Sequence, residues 1–519
     1  MTELPKIGAF VLETLTTGMY TNPLDSIREF IQNSSDSIRG AERSSLIKKG
    51  EGRIQINISP KDHCLVIRDN GLGIKCDDAK DRLLNIGMST KRIETDAGFR
   101  GIGRLAAAAY CQNLFFRTCY SGENRITTIN IDCDGLRKAI SPAMRETLEL
   151  ANVIANHSIV TVETTKIDQH FFEVGLDGVL STALPFLDEK ELEIYLCQVA
   201  PVTMDAHRFL YAKRITEWVK QHNLSYPYVT LVIKSPEIER EVFKPYRNRF
   251  TTFKESIDAR VKDISFYPDN PSSDCPFWLW YAKTDLSGSI KDEHIVGLRL
   301  RKNNILIGGP ERVSELFSQI APSYSRFNSW YFGEIHIGSN EAIPNARRDD
   351  FETTPAWDSI KEMLTPFIRE RCDEAYKASQ ARNLSVSRLE NNANKIIDSA
   401  TKKINTGFVS STEKDEIIGI VKKEKDKAVR VRENKKSKNP DEAELITPII
   451  DKLSNLESEL EKNCNYVANN LRTDLDKKQR RVISEILEIL FNTLDKDNFA
   501  IAQAAILKRY QVEAKTNNE

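Results

Sequence analysis

The sequence predicts a mixed α/β chain that ends in a purely helical region, and three observations predict it. Up to about residue 185, helical patterns and strand-like runs alternate among several glycine clusters. From about 190 to 370 come further strand-like runs, Tyr228–Lys234 and His294–Arg301, together with most of the tryptophan. Beyond about 375 the aromatics thin out and Lys, Glu, Asp, Asn and Leu dominate. The domains expected from these shifts are 1–185, 186–372 and 373–519, in line with ~150 residues per domain.

Composition excludes several classes at once. The 519 residues carry 74 Lys+Arg against 75 Asp+Glu, a net charge of -1, so no global field steers the chain to polyanions. Hydrophobic residues at 40% and charged residues at 29% are ordinary globular usage, which excludes wholesale disorder. Mean hydropathy is -0.43, and no apolar run approaches the ~20 residues of a membrane helix. The opening MTELPKIGAFVLETL has no basic stretch leading into an apolar one, so no signal peptide is expected. The 9 cysteines are scattered without a C-x-x-C pair, as expected of reduced thiols in a cytoplasmic protein.

The first element with chemical content is an early helix. Asn22 is a plausible N-cap, Pro23 suits the first helical position, and the helix runs on from Leu24 through Ile38. At ~100° per residue, Leu24, Ile27, Ile31 and Ile38 gather on one side. Glu29, Asn33 and Asp36 fall at i, i+4 and i+7, so they form a polar stripe roughly opposite. Two carboxylates and an amide on one stripe can hold a divalent cation and a water; the plain alternative is a solvated helix face.

A hairpin follows, Arg53–Ser59 and Cys64–Arg68 about a Pro60-Lys61-Asp62 turn. It runs into Asp69-Asn70-Gly71-Leu72-Gly73, where a strand-end aspartate can accept a hydrogen bond from the exocyclic amine of a base. Next comes Asn85-Ile-Gly-Met-Ser-Thr-Lys-Arg92, then Gly98-Phe-Arg-Gly-Ile-Gly103 opening an alanine-rich helix. Such a loop presents free N–H groups and a positive dipole end to phosphate. It matches neither the Rossmann fingerprint nor a P-loop.

In this order, E-x-x-x-N-x-x-D, D-x-G-x-G and G-x-x-G-x-G resemble the GHKL ATPases: gyrase, the ninety-kilodalton heat-shock chaperones, histidine kinases and MutL. Arg28–Ser37 resembles the chaperone motif most, and Ile86–Lys91 resembles a nucleotide-lid segment that includes Ser89, Thr90 and Lys91. The resemblance implies an α+β sandwich of the GHKL type, a second α/β transducer domain and an all-α C-terminal region. It implies ATP and Mg2+ as cofactors, with Asn33 ligating Mg2+ and Asp36 beside it on the stripe. Asp69 would bind the adenine amine in a pocket shaped by Gly71 and Gly73. Gly98, Gly101 and Gly103 would wrap the triphosphate, and Glu29 would orient and deprotonate the attacking water. Ser158, in His157-Ser-Ile-Val-Thr-Val162, would stand where the family has Gly-Thr. No phospho-accepting histidine helix precedes residue 20, so the resemblance favours a hydrolase over a kinase.

Phosphoryl transfer also needs a cation over the γ-phosphate. Asn345-Ala-Arg-Arg-Asp349 resembles the chaperone middle-domain loop, with Arg348 the better match and Arg347 the alternative. Asp168-Gln-His-Phe-Phe-Glu173 is a near miss of a metal-binding endonuclease motif, its glutamate one residue early, and is set aside. Lys422–Lys438 is the densest basic stretch; it can meet nucleic-acid phosphates, though interspersed acids favour a solvated helix. The expected whole is an ATP-driven clamp, homodimeric through its helical region, acting on a protein client or partner effector as chaperones or bacterial defence ATPases do. The alternative is a DNA clamp of the MutL or MORC kind.

Overall fold

The computed structural model describes residues 7–15, 22–88, 103–141, 148–165, 169–252, 255–383, 386–406, 408, 411–436, 440–462 and 476–510. The chain divides into two compact units, Met1–Cys372 and Asp373–Glu519.

In the first unit, alternating apolar residues make half-buried strands. Ile54, Ile56 and Ile58 of β1 (Arg53–Ser59) are buried while their neighbours are not. β1 pairs antiparallel with β2 (Cys64–Asp69), with Ile56 opposite Ile67. The other strands of this sheet are β3 (Cys111–Cys119), β4 (Arg125–Asp132), β5 (Ser158–Thr164), β6 (Phe171–Val179), β7 (Thr230–Lys234) and β8 (Glu239–Glu241). Their spatial order is β5-β4-β3-β6-β2-β1-β7-β8. All neighbours are antiparallel except β1 and β7, which run parallel with Ile54 opposite Leu231. The sheet thus draws its last two strands from far along the chain. Parallel partners need a long crossover, and here the intervening chain supplies β2 to β6 and the helices that cover them.

Two helices precede β1, α1 (Val11–Leu15) and α2 (Leu24–Arg43), and the crossover itself carries α3 (Cys76–Leu84), α4 (Cys133–Ala139), α5 (Leu150–Asn156) and α6 (Glu189–Val199) among others. Asn22 caps α2 as expected, its Oδ1 accepting the Leu24 N–H at 3.0 Å. Ile27, Ile31 and Ile38 join Ile54, Ile56, Ile67, Leu114 and Leu176 in one core. The opposite flank of α2 is not a solvated face: Glu29, Gln32 and Asp36 are buried as well.

A hairpin of β9 (Arg249–Thr252) and β10 (Glu255–Arg260) precedes a second sheet. Its strands are β11 (Asp263–Tyr267), β12 (Phe277–Lys283), β13 (Gly297–Lys302), β14 (Ile305–Ile307) and β15 (Phe332–Ile337), in the order β11-β12-β15-β13-β14. Asn303 and Asn304 join β13 to β14 at φ 49° and 63°, the left-handed pair that a tight two-residue hairpin needs. Phe209, Tyr246, Trp280 and Phe332 pack this second core. Leu306 of β14 is buried instead in the core of the first sheet. At the centre of the second sheet, buried Glu334 accepts from Lys244 Nζ at 2.7 Å and Tyr246 OH at 3.1 Å, and pairs with Arg301.

The second unit is all-α among its described residues. Val386–Thr406, Ser411–Lys436 and Thr447–Lys462 share a core that includes Leu389, Val421, Ala428, Ile449, Leu453, Leu456 and Leu460. Helices Lys477–Thr493 and Lys496–Tyr510 follow. In the sequence Ile449, Leu453, Leu456, Leu460, Val467, Leu471 and Leu475 recur mostly at three- and four-residue steps, and of these Val467, Leu471 and Leu475 lie outside the described residues. No helix among the described residues is long and apolar enough to cross a membrane.

Candidate nucleotide site

Helix α2 carries the polar stripe into the protein. Its apolar side is anchored on the first sheet, so the stripe faces inward toward what lies above it. Glu29 is 7% exposed and Asp36 4%, while Asn33 is half-buried. Asp36 pairs with Arg39 one turn on. Gly103 sits directly against Glu29, where an added Cβ would lie 2.6 Å from Glu29 Oε2. The absence of a side chain at this glycine therefore keeps the backbone close to the carboxylate.

The cation that meets Glu29 comes from the second sheet's side of the unit. Arg348 Nε donates to Glu29 Oε1 at 3.0 Å, and Arg348 is only 5% exposed. The turn that delivers it is tightly held. The Arg348 N–H donates to the Asn345 carbonyl, and the Arg348 carbonyl accepts from Gly308 N–H at 2.9 Å. Asn345 Nδ2 donates to Asp349 Oδ1 at 2.6 Å. Arg348 adopts φ 57°, a left-handed conformation costing about 1–2 kcal/mol for a residue with a Cβ. Arg347 plays a different part, because its carbonyl accepts from Arg28 NH2 at 2.8 Å.

Asp69 ends β2 and is 2% exposed. Its Oδ1 accepts the Gly71 N–H at 2.9 Å, whereas Oδ2 is buried without a hydrogen-bond partner. Burial pushes the carboxyl up to about 7, against the opposing pull of the Ser34 hydroxyl and the Gly71 and Phe172 N–H groups. A buried acceptor left open is costly in isolation and fits a ligand amine that completes it. The turn after Asp69 is closely packed. Gly73 has φ 71°, and a Cβ there would run into the Cys119 carbonyl. Thr118 Oγ1 accepts the Ile74 N–H at 2.8 Å and donates to the Phe171 carbonyl at 3.1 Å.

Glu29 and Arg348 are thus brought into contact, and Asn33 and Asp36 share the flank of α2 that bears Glu29. Gly71, Gly73 and Asp69 form one turn. Ser89, Thr90, Lys91, Gly98 and Gly101 lie outside the described residues. Ser158 does not reach the site. It begins β5 at the sheet edge, separated from β2 by β4, β3 and β6, and its hydroxyl donates to the Ile154 carbonyl at 2.7 Å. The strand beside β2 is β6, with Asp69 opposite Phe172. Immediately before β6, His170 reaches the aspartate turn, its Nδ1 2.8 Å from the Gly71 carbonyl. A carbonyl only accepts, so Nδ1 carries the proton.

Sequence reasoning missed His170, Thr118 and the Arg28 anchor. In the sequence His170 stands inside the near-miss endonuclease motif, and nothing in a linear pattern tells which strand lies next to β2. Asp25 accepts from the Tyr195 OH of α6 at 2.6 Å and lies 3.5 Å from Arg28, a network equally invisible to spacing.

The residues present fit a magnesium nucleotide. The open Asp69 Oδ2 suits an amine donor, and the neutral amide oxygen of Asn33 suits a hard cation that takes its other ligands from phosphate and water. Among the described residues no three His, Cys, Asp or Glu side chains converge as an all-protein metal cage. Residues 20–161 match the family model described as Histidine kinase-, DNA gyrase B-, and HSP90-like ATPase. No curated protein matches the chain.

Proposed function

With residues 20–161 belonging to the superfamily of histidine kinase-, DNA gyrase B- and HSP90-like ATPases, we propose that the chain is an ATP-hydrolysing conformational clamp. The observation that carries this reading is the buried pair of Glu29 and Arg348, in which a carboxylate of the ATPase segment meets a cation from residue 348.

When bound, Mg-ATP supplies the electrophilic phosphorus. Asp69 accepts the adenine amine at Oδ2, and Asn33 lends its amide oxygen to the metal. Glu29 orients the water and takes its proton at the carboxylate. Arg348 moves its charge from Glu29 to the developing negative charge on the phosphoryl group, and Arg28 keeps the Arg347 carbonyl tied to α2 meanwhile. Hydrolysis in this reading requires the turn at residues 345–349 to be seated, so chemistry reports on the arrangement of the second sheet against the first.

The clamp acts on a protein client or partner effector, as a homodimer joined through its helical region. The alternative, a DNA clamp working through Lys422–Lys438, has less behind it. Within that stretch Lys425 pairs with Glu457, Lys427 with Glu424 at 3.1 Å, and Lys435 with Glu442, so several of its cations already face carboxylates. The test is Mg-ATP turnover by wild type and Glu29→Ala, with duplex DNA added or omitted. Turnover lost in the variant and indifferent to DNA supports the protein-directed clamp; stimulation by DNA that weakens with salt favours the alternative. Turnover equal in both proteins sinks the reading.

A further inference from the structure

A cavity of about 540 Å³ opens where the C-terminal end of α2 meets the second sheet. That volume lies within the ~300–1,000 Å³ of ligand pockets. One wall is cationic: Arg39 and Arg43 of α2, with Lys49 from the turn that follows. The facing wall is aromatic: Tyr226, Trp278 and His336, the last two stacked at 4.0 Å and 3°. Two carboxylates also line it, Glu42 and Asp274. Glu42 is already engaged, accepting the Gly50 N–H at 2.9 Å.

Behind these walls stand further charges. Asp36 pairs with Arg39, Lys302 Nζ donates to the Ser339 carbonyl, and Lys244 and Arg301 both face Glu334. In and directly behind the walls, Arg39, Arg43, Lys49, Arg301 and Lys302, with Lys244 held down to about 7 by burial, outnumber Asp36, Glu42, Asp274 and Glu334. His336 does not add to the positive side, since burial holds it down at about 4. Burial, with a smaller contribution from the charge of Arg39, lowers Lys302 to about 8. Arg39 Nε, moreover, is buried without a hydrogen-bond partner.

We propose that this cavity is a second ligand site, which takes the phosphate group of a small phosphorylated metabolite and is separate from the Asp69 pocket. A phosphate monoester carries about −1.5 to −2 charges at neutral pH, the sign that this positive surplus calls for. Guanidinium forks such as Arg39 and Arg43 suit its oxygens, and an exposed ammonium such as Lys49 adds a point charge at the mouth. The organic part of the ligand lies along the Tyr226 side. The occupant fastens α2, the helix that carries Glu29, to the second sheet.

The test is calorimetric titration of the full chain with ribose 5-phosphate, inorganic phosphate and malonate, the nucleotide site being filled beforehand with Mg2+ and a non-hydrolysable ATP analogue. One additional equivalent of ribose 5-phosphate should bind, inorganic phosphate more weakly, and malonate least. Lys49→Glu and Arg43→Glu should each weaken that binding about tenfold or more, a loss of one stabilising ionic contact, while Lys49→Arg retains it. Both residues are exposed, and unchanged thermal unfolding of the variants identifies the loss as local. No binding by wild type at millimolar ribose 5-phosphate, or binding indifferent to both charge reversals, overturns the site. Malonate binding as tightly as the sugar phosphate overturns the ligand class. A failure of the ATP analogue to bind would count against the ATPase reading alone, because the same titrations then proceed without it.

Discussion

Arg348 and Glu29, 319 positions apart in the chain, are joined by a 3.0 Å hydrogen bond in a setting where both are more than nine-tenths buried. If Glu29 is the base proposed above, it is held ready but not free, since its carboxylate already accepts from Arg348; in that reading a phosphoryl group is the anion that draws Arg348 away.

Truncating either partner should therefore cost folding stability as well as chemistry. Arg348→Ala leaves a buried carboxylate without its cation, a situation worth about 3–5 kcal/mol. Thermal unfolding should show the drop, and the double variant with Glu29→Ala should be less destabilised than the two single losses added together. Additive losses would mean that the pair contributes no coupling.

Glu29→Ala by itself should retain nucleotide and slow hydrolysis by about 10²–10⁴. Single-turnover kinetics beside an equilibrium binding measurement separate the two effects. Unchanged turnover would remove Glu29 from the role of base.

Asp69 makes a prediction about pH. Its carboxyl lies near 7, above the usual aspartate value, so the folded protein holds a proton there that the unfolded chain releases near 4. Burial of this group consequently weakens the fold as pH rises from about 4 to about 7, with no further loss above that. An amine at Oδ2 favours the ionised form, so nucleotide affinity should climb between pH 6 and pH 8, at most about tenfold per unit. Binding should also release protons, readable by calorimetry in buffers of different ionisation enthalpy. Asp69→Asn should abolish binding and the pH effect together without lowering thermal stability at pH 8.

The strand order predicts a contrast between two side chains. Ser158→Ala should leave nucleotide affinity within about twofold, because only the Ile154 carbonyl loses a donor, about 1 kcal/mol of local stability. His170→Ala should weaken affinity more, by loosening the Gly71 carbonyl and the turn after Asp69. The reverse ranking would show that β5, not β6, serves the pocket.

His336 sets the acid limit of the second sheet. Buried beside Lys244 and Arg301, it is lowered to about 4. Stability that is present above pH 6.5 should be lost as pH falls from there toward 4, because the unfolded chain takes up the proton first. His336→Gln should flatten that part of the pH–stability curve, as followed by chemical denaturation.

Much of this was legible in the chain, and the limits have physical causes. The early helix, its Asn22 cap and the β1–β2 hairpin follow from local spacing and capping chemistry. So does the positioning of Glu29, Asn33 and Asp36 along one flank of α2. The likeness of residues 20–161 to the ATPase family model was legible because the motifs occur in a fixed order. What spacing cannot convey is which distant segments meet. Ser158 stands where the resemblance places the family's Gly-Thr, but sheet order is decided by long-range packing, and β6 takes the place beside β2. The contact of Arg28 with the Arg347 carbonyl is of the same kind. The burial of the polar stripe was not legible either, since an amphipathic pattern looks alike whether its polar side meets water or another part of the protein.

The parallel pairing of β1 with β7 has a consequence for how such a protein is inherited. A recombination event that carried off only the first 185 residues would leave β1 a naked, apolar edge, open to pairing with other chains. The piece that can be exchanged between genes without that hazard must include Thr230–Lys234, and with Leu306 buried in the same core it extends through β14. Because Arg348 pairs with buried Glu29, that piece extends further still, and α2 and the turn bearing Arg348 are bound to travel as one unit of descent.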